Sequence, residues 1–206
     1  MGYTANLINL STRMDGTAYK EVVDRTQIFV DEKSVARTEF YMAMNSGVRP
    51  TYILETRIEN YALGEHLVNS ETFQADKIEY NGQIYDIIRS YAVDTTKVQL
   101  TIGGINRSVK VQSISTSVDA QGQPVETWTD KIECLATIEA VSGREFTQGK
   151  ASQSEVTHII TIKNRDWVKP DMRVIYGTRT FQVMYMMRNE ENLDLKLQCK
   201  ELFVNG

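Results

Sequence analysis

The second half of this chain repeats the first half. Residues 2–61 align without a gap on residues 108–167, an offset of 106, and ten of the paired positions are identical. Farther along, the match resumes at an offset of 96, so the first copy carries ten additional residues within Ala62–Asp76. Two like copies in 206 residues predict two small tandem domains, residues 1–103 and 107–206. The identical pairs are Ile8/Ile114, Ser11/Ser117, Gly16/Gly122, Asp24/Asp130, Val35/Val141, Glu39/Glu145, Phe40/Phe146, Ser46/Ser152, Thr51/Thr157 and Ile53/Ile159.

Apolar residues alternate with polar ones along most of both copies, which is typical of β-strands with one buried face. About six such runs per copy, separated by turn-forming segments and without a long helix, predict an all-β protein. We expect two tandem small β-barrel or sandwich-like domains, with Gly103-Gly104 as their linker and with Tyr61 and Trp167 in equivalent places. In the second copy the alternating residues include Ile132, Cys134, Ala136, Ile138, Phe181, Val183, Tyr185, Met187, Leu193, Leu195, Leu197 and Cys199.

Two segments break the alternation at matching places, Lys33–Pro50 and Ala140–Ser154, and they predict long interaction loops. The ten additional residues of the first copy predict either an extended hairpin or a contact device, with Leu67, Val68 and Phe73 as anchors. The candidate interaction residues of the loops are Arg37, Glu39, Phe40, Met44, Arg144, Glu145, Phe146 and Lys150.

The sequence contains no pattern that predicts chemistry. His66 and His158 lie in different contexts, and His158, at an inward strand position, is interpreted as a hydrogen-bonded core residue. Cys134 and Cys199 are expected to be buried free thiols. No nucleophile motif, phosphate-binding glycine loop or zinc-ligand spacing occurs, so we expect no catalytic residue, cofactor or metal site, and no enzyme. A two-domain β binding module with an exposed aromatic patch stays open as an alternative.

Charge and hydropathy limit the partners that we expect. The net charge of -4 and the absence of a basic run argue against tight DNA binding through phosphates. The N-terminus lacks the features of a signal peptide, and no stretch has the apolar length of a membrane span. We therefore expect a protein that is made in a cytoplasm and has no membrane partner.

Four blocks of the second copy resemble, in order and spacing, the bacteriophage head-tail adaptor or head-closure family. They are GQPVETWTD at Gly122–Asp130, SGREFTQGKASQSEVTHIITIK at Ser142–Lys163, VKPDMRVIYGTRTFQV at Val168–Val183, and the final alternating strand. The first copy is similar to a head-closure variant from phages of Gram-positive hosts, through KSVARTEFYMAMNSGVRP at Lys33–Pro50 and YNGQIYDIIR at Tyr80–Arg89.

This resemblance implies a structural virion protein, made in the host bacterium, that forms a homo-oligomeric ring at the head-tail connector or neck. The ring would close the DNA-filled capsid, contact the portal or adaptor ring and the tail proteins, and let DNA pass its lumen without tight binding. The ten additional residues of the first copy would then face the tail or the lumen if they are not a hairpin extension. The alternative binding module would belong to the phage tail or tail tip. Twelvefold portals and sixfold tails leave two copy numbers open. The aligned loops TEFYMAMNSG and REFTQGKASQ differ, and a ring of alternating like copies would need matching edges, so twelve chains are expected, with six as the alternative.

Overall fold

The computed structural model describes residues 2–34, 50–68, 70–141, 156–189 and 194–203. Within these ranges the chain forms thirteen strands and one short helix, α1 (Ile58–Ala62). The all-β prediction is confirmed. The strands are β1 (Tyr3–Asp15), β2 (Ala18–Lys33), β3 (Pro50–Arg57), β4 (His66–Val68), β5 (Glu71–Phe73), β6 (Lys77–Tyr80), β7 (Gln83–Ala92), β8 (Lys97–Val118), β9 (Pro124–Ala140), β10 (His158–Lys163), β11 (Arg173–Tyr176), β12 (Arg179–Asn189) and β13 (Asp194–Leu202).

The first compact unit comprises Met1–Ser11 and Val22–Asn106. Its strand pairings run from β1 through β6, β7, β8, β3 and β2, and β2 pairs with β1 again. The inward residues of these strands form one apolar core, because alternate side chains point to the same face of a sheet. The buried core residues are Ala5, Leu7, Ile28, Val30, Leu54, Ala75, Ile78, Tyr80, Tyr85, Val98, Leu100 and Ile102.

The second compact unit comprises Arg107–Gly206 together with Thr12–Glu21 from the hairpin of β1 and β2. Its pairings run from β8 through β11, β12, β13, β10 and β9, and β9 pairs with β8 again. If the six main strands of each copy are numbered in the order in which they occur along the chain, the two units have the same pairing order. The buried core residues are Val109, Val111, Ile132, Cys134, Ala136, Ile160, Ile162, Val168, Met172, Val174, Phe181, Val183, Leu195, Leu197 and Cys199.

Strand β8 continues through Gly103-Gly104, so the expectation that a strand ends at these linking glycines is wrong. Here the pairing with β7 shifts, because Tyr85 lies opposite Ile105 while Asp86 lies opposite Gly103. Gly104 has a φ of 68°, a conformation that glycine adopts without strain. The glycines therefore form a β-bulge that alters the register without ending the strand.

Tyr61 and Trp167 occupy corresponding places, as the repeat predicts. Tyr61 lies in α1 directly after β3, and Trp167 follows β10. Each ring is partly buried and packs against the core of its own unit. A large aromatic residue thus covers the core after the third main strand of each copy.

Candidate assembly surfaces

The eight residues predicted for the interaction loops lie outside the described residues. Arg37, Glu39, Phe40 and Met44 fall within 35–49, and the four residues of the second loop fall within 142–155. Their role stays a prediction.

The additional residues of the first copy contain a small hairpin of β4 and β5, which pairs Leu67 with Thr72. Leu67 is 73% exposed. The Phe73 ring is half-buried and lies 6.4 Å from the His66 ring, between centroids. Val68 pairs with Glu71 at the turn. The hairpin thus offers one exposed leucine, while Phe73 packs locally.

His158 belongs to a structural polar cluster. Its Nε2 lies 3.0 Å from an Arg179 guanidinium nitrogen, and its ring packs edge-on against Phe181 with centroids 5.1 Å apart. Arg179 in turn donates two hydrogen bonds to the Glu201 carboxylate, at 2.6 and 2.9 Å. Burial lowers the pKa of His158, and the positive charge of Arg179 lowers it further against the opposing effect of Glu201. The histidine is hydrogen-bonded and packed, as predicted.

The two cysteines are free and buried in the second core, as predicted. Burial raises the pKa of each thiol to about 12. Both therefore stay protonated at neutral pH and act as small apolar side chains. Among the residues that the structure describes, no cluster of three or more His, Cys, Asp and Glu could hold a metal ion. Within the same ranges, no helix has the length and apolar character needed to cross a membrane.

The tip of the β1–β2 hairpin is anchored in the second unit. Tyr19 and Lys20 pair in parallel with Ile132 and Glu133 of β9. The Lys20 ammonium also lies 3.4 Å from the Glu133 carboxylate. Backbone pairing and an ion pair therefore join the hairpin to this strand.

The next residue, Glu21, supplies the buried part of this contact. Only 4% of its side chain is exposed. One carboxylate oxygen accepts a hydrogen bond from the Leu135 backbone N–H at 2.9 Å, and the other accepts one from the Arg165 guanidinium. A buried carboxylate is costly unless it is paired in this way. Glu21 and Arg165 were not predicted as functional residues, because their partners lie 114 and 144 positions away in sequence.

The corresponding hairpin of the second copy, β8–β9, is exposed. Every residue from Ser115 to Thr127 is exposed, including Val118 at 72% and Val125 at 42%. The Asp119 carboxylate accepts hydrogen bonds from the backbone N–H groups of Gln121 and Gln123 and so fixes the turn. This is an ordered hairpin whose apolar side chains have no cover.

A polar network holds the base of this hairpin. The Arg173 guanidinium stacks 4.1 Å from the Trp128 ring centroid and donates a hydrogen bond to Gln112 at 2.7 Å. Gln112 and Lys110 each donate to the Asp130 carboxylate, at 2.5 and 2.9 Å, and these bonds lower the pKa of Asp130. Strands β8 and β9 are thereby tied together directly below the exposed tip.

A family model described as phage head completion protein matches residues 100–202. The chain belongs to this family. Head completion protein gp7 of Enterobacteria phage HK97 is 30% identical to this chain over 104 residues, which are 48% of this chain and 93% of that protein. Membership makes the chain a structural protein of a bacteriophage virion with a role in completing the head.

Two solved structures are similar to part of the chain. One is the solution structure of protein SF1141 from Shigella flexneri 2a, with a TM-score of 0.41 and 22% identity over 46% of this chain and 89% of that chain. The other is a chain in the virion of a native gene transfer agent particle, with a TM-score of 0.36 and 20% identity over 48% of this chain and 96% of that one.

Proposed function

We propose that this protein forms a ring at the head-tail interface that closes the DNA-filled capsid and provides the docking surface for the tail. The observation that carries the proposal is the match of residues 100–202 to the phage head completion family. Each compact unit is proposed to be a small β-barrel. The strand pairings that return to their starting strand in both units support this.

The charge of the chain suits a ring through which DNA passes. A net charge of -4 gives little electrostatic attraction for phosphates, so the lumen would not hold the DNA by tight, salt-dependent binding. Retention would instead come from closing the opening together with the portal or adaptor ring. An enzyme is not needed for this role.

The loops 37–47 and 143–153 are proposed to contact neighbouring subunits or the ring above. Their sequences differ between the copies, which supports twelve chains over six. Native mass spectrometry of the purified assembly measures whether its mass is twelve times or six times the chain mass of 23.5 kDa. A six-chain complex would contradict the proposed copy number but not the proposed connector role.

A phage carrying a deletion of this gene tests the function. We expect particles that package DNA and then lose it, and that carry no tails, with the wild-type gene in trans restoring both properties. A variant with Gly143–Gln153 replaced by a short linker should fold and still fail to rescue. DNA-filled, tailed and infectious particles made without the protein would refute the proposal.

A further inference from the structure

The repeat shows where the docked hairpin has a counterpart. At the offset of 106, the docking segment Ala18–Glu21 corresponds to Pro124–Thr127 at the start of β9. The turns also correspond, because Gly16 and Gly122 both have positive φ angles, 64° and 79°. The β1–β2 and β8–β9 hairpins are therefore two copies of one element, of which only the first is docked within the chain.

The two hairpins differ in how well their matching positions are covered. In the docked hairpin, Lys20 is half-buried and Glu21 is buried at 8% exposure. Their counterparts Glu126 and Thr127 are both exposed. The second hairpin thus presents the same strand segment without a partner.

The surface that receives the hairpin shows the same difference between the units. In the second unit Leu135, whose N–H meets the hairpin, is half-buried, and so is Glu133. Their counterparts on β2 of the first unit are Phe29 and Gln27. Gln27 is exposed, and Phe29 is 69% exposed although a phenylalanine in a strand normally packs against a partner. The position that the hairpin covers in one unit is uncovered in the other.

We propose that the β8–β9 hairpin of one chain docks on strand β2 of the first unit of a second copy of this chain. Pro124–Thr127 would run parallel to Arg25–Ile28, with Glu126 opposite Gln27 as Lys20 is opposite Glu133. This inference rests on the proposed ring and names the contact that builds it. The contact joins two different surfaces, so repeating it generates a ring when the rotation closes.

The proposed contact between chains is apolar, whereas the docking of the first hairpin within the chain includes an ion pair. The counterparts of Glu21 and Arg165 are Thr127 and Glu59, which cannot form an ion pair. Burial of the exposed Phe29 ring by the incoming hairpin replaces that pair.

The difference between Arg165 in the second unit and Glu59 in the first also determines which hairpin each unit can bind. The Glu21 carboxylate would meet the negative charge of Glu59 on the first unit, whereas it meets the positive charge of Arg165 on the second. Like charges brought together in a partly dry contact oppose binding. The first hairpin is thereby excluded from the surface that the second hairpin uses.

Disulfide trapping tests the register. Full-length chains carrying Glu126→Cys are mixed with differently tagged chains carrying Gln27→Cys and then oxidised; neighbouring strands bring such pairs within disulfide range. We expect dimers joined 126 to 27 to exceed both like-with-like dimers several-fold. The native cysteines are buried and do not compete. The control replaces Gln27→Cys with Ser90→Cys, an exposed position on β7, and should give no such excess.

A second variant tests the energetics without cysteines. Phe29→Ser should raise the concentration needed for assembly about tenfold or more in analytical ultracentrifugation, since central aromatic residues carry much of the binding energy of interfaces. Phe203→Ser, at a phenylalanine that is 79% exposed outside the proposed contact, is the matched control and should assemble as the wild type does. Circular dichroism confirms that both variants stay folded.

The outcomes separate this inference from the ring itself. Wild-type rings without an excess of 126–27 dimers, or with unchanged assembly of Phe29→Ser, would overturn the hairpin contact and leave the ring standing. Chains that stay monomeric and give no mixed dimer would overturn both. If virion partners, and not second copies, occupy the hairpin, 126–27 dimers are absent and the hairpin instead cross-links to another virion protein.

Discussion

Glu21 is the residue on which the anchoring of the first hairpin depends. A carboxylate removed from water loses several kcal/mol of hydration, and this cost is offset only when strong hydrogen-bond donors replace the water. Here the Leu135 N–H and the Arg165 guanidinium are those donors. Both tryptophans of the chain, Trp128 and Trp167, lie in the second unit, so tryptophan fluorescence follows the unfolding of this unit alone.

Glu21→Ala should lower the free energy of unfolding of the second unit by about 3 kcal/mol, because it leaves the Arg165 charge partly buried without its partner. Urea denaturation followed by tryptophan fluorescence measures this change. Glu139→Ala, which removes an exposed carboxylate from the same strand β9, should change stability by no more than about 0.5 kcal/mol. Equal effects of the two substitutions would contradict the anchoring role.

His158 makes stability depend on pH. Its pKa is lowered from 6.5 in the folded chain, so the folded state favours the neutral ring. As pH falls below about 6.5, the unfolded chain binds a proton that the folded chain resists, and stability decreases. The Glu201 carboxylate, whose pKa is lowered mainly by its hydrogen bond to Arg179, contributes a separate loss at more acidic pH, below 4.5.

His158→Gln should therefore flatten the stability profile of the second unit just below pH 6.5 while leaving the more acidic loss in place. Fluorescence-monitored urea unfolding at a series of pH values gives the profile. In the matched variant His66→Gln the decrease below pH 6.5 should persist. Its disappearance there, or its persistence in His158→Gln, would show that another group is responsible.

Among single residues, the sequence predicted those whose role follows from the local alternation of apolar and polar positions. The alternating positions identified the buried cysteines and the packed histidine, because the inward face of a strand is set by a period of two. Glu21 could not be found in this way, since its burial depends on a strand more than a hundred residues away. The one available signal is its place in the repeat, where the second copy has Thr127.

Among the described elements, the β4–β5 hairpin lies in the ten additional residues of the first copy, which have no aligned counterpart in the second. Its base is closed by a hydrogen bond of 2.8 Å from Gln74 to Glu65, and Leu67 points into solvent. The neighbouring Ala75 is part of the first core, at 2% exposure. Only the segment between Glu65 and Gln74 is therefore separable from the packing of the unit.

Replacing 66–73 with a short turn should change the stability of the first unit by less than about 1 kcal/mol, because shortening a surface loop alters mainly its closure entropy. Thermal unfolding followed by circular dichroism measures this. Gly64→Ala serves as the contrasting variant: its new Cβ would lie 2.8 Å from Leu7 Cδ1 and 2.9 Å from Ala75 Cβ, which predicts a loss of about 1–3 kcal/mol. If the shortened variant rescues DNA retention and tail joining fully, the hairpin is only an extension.

Strand positions were predictable from the sequence, and strand ends were less so. Alternation located β9, β10, β12 and β13. In β12, however, a bulge between Val183 and Tyr185 exposes Tyr185 and Met187, which the alternation placed on the inward face. The bulge at Gly103 and Gly104 resembled a linker. Paired glycines indicate either a loop or a bulge, and only the partner strands decide which one forms. The register with β7 is the information that the sequence lacks.

For the whole molecule, the repeat accounts for the matching pairing order of the two units, while the contribution of Thr12–Glu21 to the second unit has no counterpart in the alignment. A fragment of residues 107–206 lacks this segment, and its β9 loses the pairing partners of Ile132 and Glu133. We expect its tryptophan-monitored unfolding midpoint to lie below that of the second unit in the full chain.

Adding a peptide of residues 8–27 to this fragment should raise the midpoint progressively, with the logarithm of peptide concentration at high concentration, because a ligand that binds only the folded state stabilises it. The same peptide with Glu21→Ala is the control and should have a much smaller effect. A fragment as stable as the second unit in the full chain would show that the segment is dispensable.

The long separation between Glu21 and Leu135 also sets an order of events on the ribosome. Leu135 is synthesised 114 residues after Glu21, which corresponds to about 5 to 25 seconds of translation. During that interval the tip of the first hairpin waits without its partner strand. An unpaired strand edge invites association with other nascent chains, and charged residues oppose it. The tip carries Arg13, Asp15 and Lys20, and we expect these charges to reduce such association until β9 is available.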